Sequence, residues 1–161
     1  MSFWAALPRR PRPRQAWTLG YIAGCARGGI EAVAIGAPTG PFGFIDGRAQ
    51  YGVVTPAFHV MAGLAALSGK PLLHAELSAE GAVEVIAVRD GGGIFLWIAN
   101  LTAKPQRITL PVGVRSVALL NEASFAEAVS EAGVGLAARL QPRTARALDL
   151  SAYAVACTDI S

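Results

Sequence analysis

The sequence predicts a chain of mixed α and β structure, with a helix–strand–helix unit over residues 15–69 and an antiparallel β-sandwich over residues 70–161. Three observations predict it. Before Lys70, two stretches with apolar residues at helical spacing flank one short apolar run. After Lys70 the texture changes to short runs, several of them alternating, separated by turn residues. The composition, 53% hydrophobic and 16% charged, is too apolar for a disordered chain and rich enough to bury a core.

The elements follow in order. Residues 1–14 are rich in Pro and Arg and are expected to form a disordered leader. The first helix runs from Ala16 to Arg27, with Trp17, Tyr21 or Ile22, and Cys25 on its apolar face; Gly28-Gly29 ends it. Residues 30–36 are apolar on both faces and of strand length, as in a buried parallel strand. Residues 37–52 form a Gly- and Pro-rich loop, long enough to suggest a role beyond connection. Thr55 can cap a second helix with Pro56 at its first position; Phe58, Val60, Met61, Leu64 and Leu67 form its apolar face, and Gly69 stops it.

Seven strand candidates follow, at 72–77, 83–89, 94–101, 106–110, 116–120, 146–150 and 153–158. Asp90-Gly91-Gly92-Gly93 has the chemistry of a hairpin turn. Residues 121–142 read as an irregular excursion with a helical turn.

Charge and cysteine content exclude several function classes. The net charge is +3, but Arg9, Arg10, Arg12 and Arg14 all lie in the leader. Without those four, the other ten basic residues face eleven acidic ones, so the body is near neutral and no nucleic-acid partner is expected. Cys25 and Cys157, with His59 and His74 distant in sequence, lack the spacing of a zinc site. They read as buried, reduced thiols, which suits a reducing, cytoplasmic compartment, and neither a metal nor a cofactor is expected. Apolar stretches are broken before the roughly 20 residues a membrane span needs, so no membrane partner is expected.

The first unit poses a physical problem. A strand apolar on both faces needs a parallel neighbour on each side, and parallel neighbours need crossovers of about a dozen residues or more. A βα unit followed by a sandwich is what remains when a barrel enzyme is cut late in its barrel. The expected fold is therefore a C-terminal β-sandwich preceded by the helix–strand–helix remnant of a (β/α)8 barrel. The alternative is a self-contained protein in which both helices pack on the sandwich.

Several segments resemble such an enzyme. Trp17-Thr18-Leu19-Gly20-Tyr21-Ile22-Ala23 with Ala26-Arg27-Gly28-Gly29 resembles the penultimate helix of a glycoside-hydrolase-type barrel. Glu31-Ala32-Val33-Ala34-Ile35-Gly36 resembles its eighth strand, and the segment from Thr55 to Gly63 its last helix. Phe95-Leu96-Trp97-Ile98-Ala99-Asn100-Leu101-Thr102, followed by Pro105-Gln106, resembles a strand pair of the appended sandwich. Leu150-Ser151-Ala152-Tyr153-Ala154-Val155-Ala156 resembles its last strand, with Ala152 departing from the usual proline. Within this superfamily the chain resembles the D-apionate lactonase family, whose members are assigned to opening a sugar-acid lactone.

The resemblance implies an acid/base at the end of barrel strand four and a nucleophile at the end of strand seven. This chain would begin after strand seven, so neither carboxylate can be carried over and the catalytic residues stay unknown. The one strand end present is Ile35-Gly36-Ala37, with its loop through Phe44. On that loop Thr39, Phe42 and Phe44 are the candidate substrate-binding residues, two aromatic faces and a hydroxyl suited to a sugar ring.

Other residues read as structural. Asp46 is a turn residue. His59 should be packed and hydrogen-bonded to a neighbouring strand, and His74 should lie at the surface. Glu31 could pair with Arg27 or Arg48; as a catalytic carboxylate it lacks a partner. Gly91 to Gly93 precede a strand, so no helix N-terminus is available for phosphate. Ser124 and Ser130 lack the neighbours of a catalytic triad.

The expected function is that of the C-terminal part of a carbohydrate-active hydrolase, inactive by itself, in which the sandwich braces the barrel. Its expected partners are the rest of the barrel and a carbohydrate or sugar lactone. The alternative is a free-standing sandwich that binds a carbohydrate or a protein.

Overall fold

A computed structural model describes residues 14–40, 43–46, 53–78, 81–130 and 136–160. The expected leader, apart from Arg14, lies outside them, as do Phe42 and Arg48. The elements are α1 (Arg14–Arg27), β1 (Ile45–Asp46), β2 (Val53–Val54), α2 (Pro56–Ala66), β3 (Leu72–Leu73), β4 (Val83–Asp90), β5 (Gly93–Asn100), β6 (Gln106–Leu120), α3 (Phe125–Ser130), a 3-10 turn (Leu136–Arg139), β7 (Gln141–Leu150) and β8 (Val155–Ile160).

Helix α1 forms where its spacing predicts, but it buries the other stripe. Ala16, Leu19 and Ala23 are inside, while Trp17 and Tyr21 are 59% and 58% exposed. Close approach to the sheet explains the choice. A Cβ added at Gly20 would stand 3.0 Å from Leu101 Cδ2, so α1 comes close to the chain along Ala16, Gly20 and Ala23, with Leu19 filling the core beside them and the large aromatics outside. Gly29, at φ 74°, ends the helix, and the Ile30 N–H reaches back 3.0 Å to the Cys25 carbonyl.

Residues 30–36 correct one expectation. They form no strand pairing, and Ile30 is 54% exposed. A doubly apolar strand needs parallel neighbours, and the described residues supply none. Thr39 makes a parallel bridge to Ile45, and β1 pairs antiparallel with β2.

Thr55 takes the extended conformation of an N-cap before Pro56, yet its side chain makes no capping bond; its N–H donates to the Phe44 carbonyl at 2.7 Å. Helix α2 stops near Gly69, at φ 75°.

Six strands form one antiparallel sheet in the order β3-β4-β5-β8-β6-β7. The β4–β5 hairpin pairs from Val83↔Asn100 to Asp90↔Gly93, with Gly91 at φ 59° in its turn. The expected strands at 106–110 and 116–120 are one strand, β6. Pro111 has no N–H for the ladder, and the chain crosses this stretch through register shifts between Thr109 and Val114 and between Val114 and Ser116. Strand β7 begins at Gln141, five residues before the expected start, and β3 is shorter than expected.

Period-2 alternation gives the sheet two buried faces. Ile86, Val88, Trp97, Ala99, Val155 and Cys157 join Ala16, Leu19, Ala23 and Val60 in one core under the helices. On the other face, Val83, Ala87, Leu96, Ile98, Leu148 and Leu150 belong to a second core. Arg27 of α1 adds a bidentate ion pair to Glu84 of β4 at 2.5 and 2.9 Å, where Glu31 had been one expected partner.

Trp97 is fully buried in the first core, opposite Ile86 and Cys157. Its Nε1–H has no partner among the described residues, so apolar contact alone holds the ring. Gly63 of α2 lies directly over it, and an ideal Cβ at Gly63 would overlap ring atoms Cη2 and Cζ2.

At the sheet end, Asn100 is fully buried and binds five groups. Its Nδ2 donates to the carbonyls of Lys104 at 2.7 Å, Ser151 at 2.9 Å and Leu150 at 3.3 Å. Its Oδ1 accepts from the N–H and hydroxyl of Thr102, both at 2.9 Å. One side chain thus ties the β5–β6 turn to the β7–β8 turn, where Tyr153 sits at φ 55°. Gln15 of α1 donates to the Tyr153 carbonyl at 3.1 Å.

In an open helix interior Gly63→Ala would gain about 1 kcal/mol. Here overpacking against Trp97 should reverse the sign and cost about 1–3 kcal/mol in urea unfolding. Adding Trp97→Phe should recover part of that loss. Unchanged or raised stability in the single variant would contradict the seat.

Candidate functional site

A groove of about 340 Å³ runs beside α1. Trp17 and Tyr21, one turn apart, form one wall. Ile35 and Phe44, from the segment after α1, form the other, and Thr55 at the start of α2 lies at its edge. Arg14 brings a guanidinium, and Thr18 and Thr55 bring hydroxyls. No carboxylate, imidazole or thiol lines the groove among the described residues. The groove can hold an apolar or ring-bearing surface, but its described residues include no acid, base or nucleophile pair for hydrolysis.

The three expected substrate-binding residues are placed differently. Phe44 is half-buried and lines the groove. Thr39 is exposed and outside its lining. Phe42 lies outside the described residues. Sequence reasoning missed Trp17 and Tyr21 as exposed groove residues by assigning them to the core. A period of 3.6 does not say which of two adjacent stripes faces inward, but Ala16, Gly20 and Ala23 signalled the stripe of close approach.

The other singled-out residues are structural. The Ser124 hydroxyl donates to the Leu119 carbonyl at 2.9 Å, and its N–H is accepted by Asn121 Oδ1 at 3.1 Å, which closes the turn before α3. Glu31 is exposed. The His74 side chain is 84% exposed, 3.9 Å from Glu76. Cys157 is buried, and burial, with the charge of Asp159 adding to it, pushes its thiol up to about 12, which removes it as a nucleophile. Cys25 is half-buried. Among the described residues no cluster of His, Cys, Asp and Glu is placed to hold a metal ion.

His59 is packed, 1% exposed, but its partner is a helix carbonyl and not a strand: Nε2 lies 2.6 Å from the Ala128 oxygen of α3. A carbonyl only accepts, so Nε2 carries the proton and Nδ1 is bare. Burial holds the imidazole below its ordinary 6.5; the Ala128 carbonyl works against this, and the nearby Arg139 charge adds to it. The unfolded chain therefore binds a proton near pH 6.5 that the folded chain takes only at lower pH. This contribution to stability is whole above pH 6.5, falls as pH drops below it, and levels off beneath the folded value. Urea midpoints measured from about pH 7.5 to about pH 5 should fall more steeply for the native chain than for His59→Gln. Parallel profiles would contradict this assignment.

Two family models match the chain. Residues 13–69 match the D-apionate lactonase TIM barrel domain, and residues 80–158 match the D-apionate lactonase C-terminal immunoglobulin-like domain. No curated protein matches it. Among solved structures, the trehalulose synthase MutB from Pseudomonas mesoacidophila MX-45 is 15% identical, with 64% of this chain and 17% of that one covered and a TM-score of 0.45. A conserved exported protein from Bacteroides fragilis is also 15% identical, with 57% and 18% covered and a TM-score of 0.42. The chain thus spans less than a fifth of the length of either structure. With two domains of one family matched in order along most of its length, the chain belongs to the D-apionate lactonase family and carries its C-terminal immunoglobulin-like domain and part of its TIM barrel domain.

Proposed function

We propose that the chain is the C-terminal part of a hydrolase that opens a sugar-acid lactone, and that it acts with the remaining βα units of a barrel seated on the Trp17–Tyr21 groove. The match of residues 13–69 to a barrel domain carries this reading. A complete (β/α)8 barrel takes about 250 residues. Trp17, Tyr21 and Ile30 are each more than half exposed beside an apolar groove, and an aromatic surface of this kind suits packing against further elements. The loop through Phe44 would then form part of the barrel's rim, with Thr39 toward the substrate and Phe44 where the groove meets the rim, while the sheet braces the barrel from outside.

A second reading, a free-standing module that binds a carbohydrate or a protein, draws support from one observation. Helix α1 and the sheet already share a core through Leu19 and Trp97.

The test supplies the 161-residue chain with the preceding barrel units of a family member, expressed as a separate polypeptide. The chain alone should open the lactone of D-apionate no faster than buffer. The reconstituted pair should turn it over, and Trp17→Ser with Tyr21→Ser should abolish assembly. Turnover by the chain alone, or assembly indifferent to that double change, would overturn the proposal.

A further inference from the structure

Residues 31–35, just after α1, are apolar but for Glu31, and Gly36, at φ 70°, ends the run. Exposure alternates along it: Ala32, Ala34 and Gly36 are exposed, while Val33 and Ile35 are half-buried. That period of two is the pattern of a strand lying with one face on its own chain. Yet residues 31–35 make no backbone hydrogen bond among the described residues. The run therefore offers unpaired N–H and C=O groups beside an exposed apolar surface, which is a template for another strand.

The outer strands of the six-stranded sheet are guarded against such pairing, and this run is not. Strand β3 is only two residues long, and β7 carries exposed Pro142, Arg143 and Arg146. Short edges, prolines and like charges all deter a further strand. Residues 31–35 hold no proline and a single charge, and Val33 and Ile35 are β-branched residues that suit a strand.

We propose that residues 31–35 pair antiparallel with the same residues of a second copy of this chain, about a twofold axis at Val33. Charge selects this partner and this direction. In the antiparallel register Val33 meets Val33, Ala32 meets Ala34, and Glu31 meets Ile35, so the run is complementary to itself. The two Glu31 side chains then stand four residues apart along the strands, roughly 14 Å. A parallel, in-register pair would set Glu31 against Glu31, and like charges directly opposite each other destabilise a sheet. Both copies use the same surface, which gives a dimer. The barrel units proposed above would cover this same run, so the two assemblies exclude one another. Self-pairing does not rest on the barrel reading, and because it is read on the chain alone the two can fail separately.

Sedimentation equilibrium of the full chain over about a hundredfold range of concentration should show a reversible monomer–dimer equilibrium. Hydrogen exchange should slow at amides within residues 31–35 only where the dimer is populated. Successive N–H groups of a strand point to opposite edges, so at least one of Val33→Pro and Ala34→Pro should remove the dimer. Ala34 is exposed, so that change should leave the melting of the monomer nearly unaltered. Ile35→Lys sets an ammonium opposite Glu31 and Ile35→Glu sets a carboxylate there, while both lose the same apolar contact. The lysine variant should therefore dimerise about tenfold more tightly than the glutamate variant. A monomer at every concentration, association beyond a dimer, a dimer in which residues 31–35 exchange as freely as in the monomer, a dimer indifferent to both proline changes, or equal dimerisation of the two Ile35 variants would each overturn the proposal.

Discussion

The Trp97 indole lies between the sheet and α2, and the bare backbone of Gly63 is what lets the helix come down onto it. The contact is apolar on both sides, since the indole N–H has no partner among the described residues. Removing a buried ring of this size costs about 3–5 kcal/mol in comparable cores. The rest of the helical layer follows from that seat. With α2 fixed, His59 reaches Ala128 on α3, and α1 packs in the same core through Leu19, locked at its ends by Gln15 to Tyr153 and Arg27 to Glu84.

Close approach has a second consequence. Small residues on the inner stripe of α1 leave its large aromatics on the outer one, so the packing that joins the helices to the sheet also creates the groove of Trp17, Tyr21 and Phe44. The far side of α2 meets shorter elements, α3 and the 3-10 turn, where His59 is bound to the Ala128 carbonyl.

Much of the architecture was legible in local chemistry. Gly29, Gly69 and Gly91 each sit at positive φ where a stop or turn was expected, and the strand candidates at 83–89 and 94–101, on either side of the expected turn, form the β4–β5 hairpin. What was lost was non-local. Nothing near Pro111 says that β6 continues through its register shifts, because the ladder on either side is supplied by β7 and β8 from the far end of the chain. The apolar run at 30–36 looked like a strand because its composition reports what it can bury, not whether neighbours are present. The choice between the stripes Ala16-Leu19-Ala23 and Trp17-Tyr21-Cys25 was settled by the closeness of the sheet. At the candidate site the loop through Phe44 was legible and the aromatic wall opposite it was not. The roles of Asn100 and of the bare His59 nitrogen depend on carbonyls 50 and 69 residues away, at Leu150 and Ala128.

Helices and sheet should form one cooperative unit through the Trp97 seat. Native-state hydrogen exchange tests it most directly, by comparing opening free energies of interior amides in α1 and α2 with those of β5 and β8. The most protected amides of all four elements should open together, with one free energy and one urea dependence. Helical amides that open separately, at a free energy well below that of a sheet that stays protected, would contradict it.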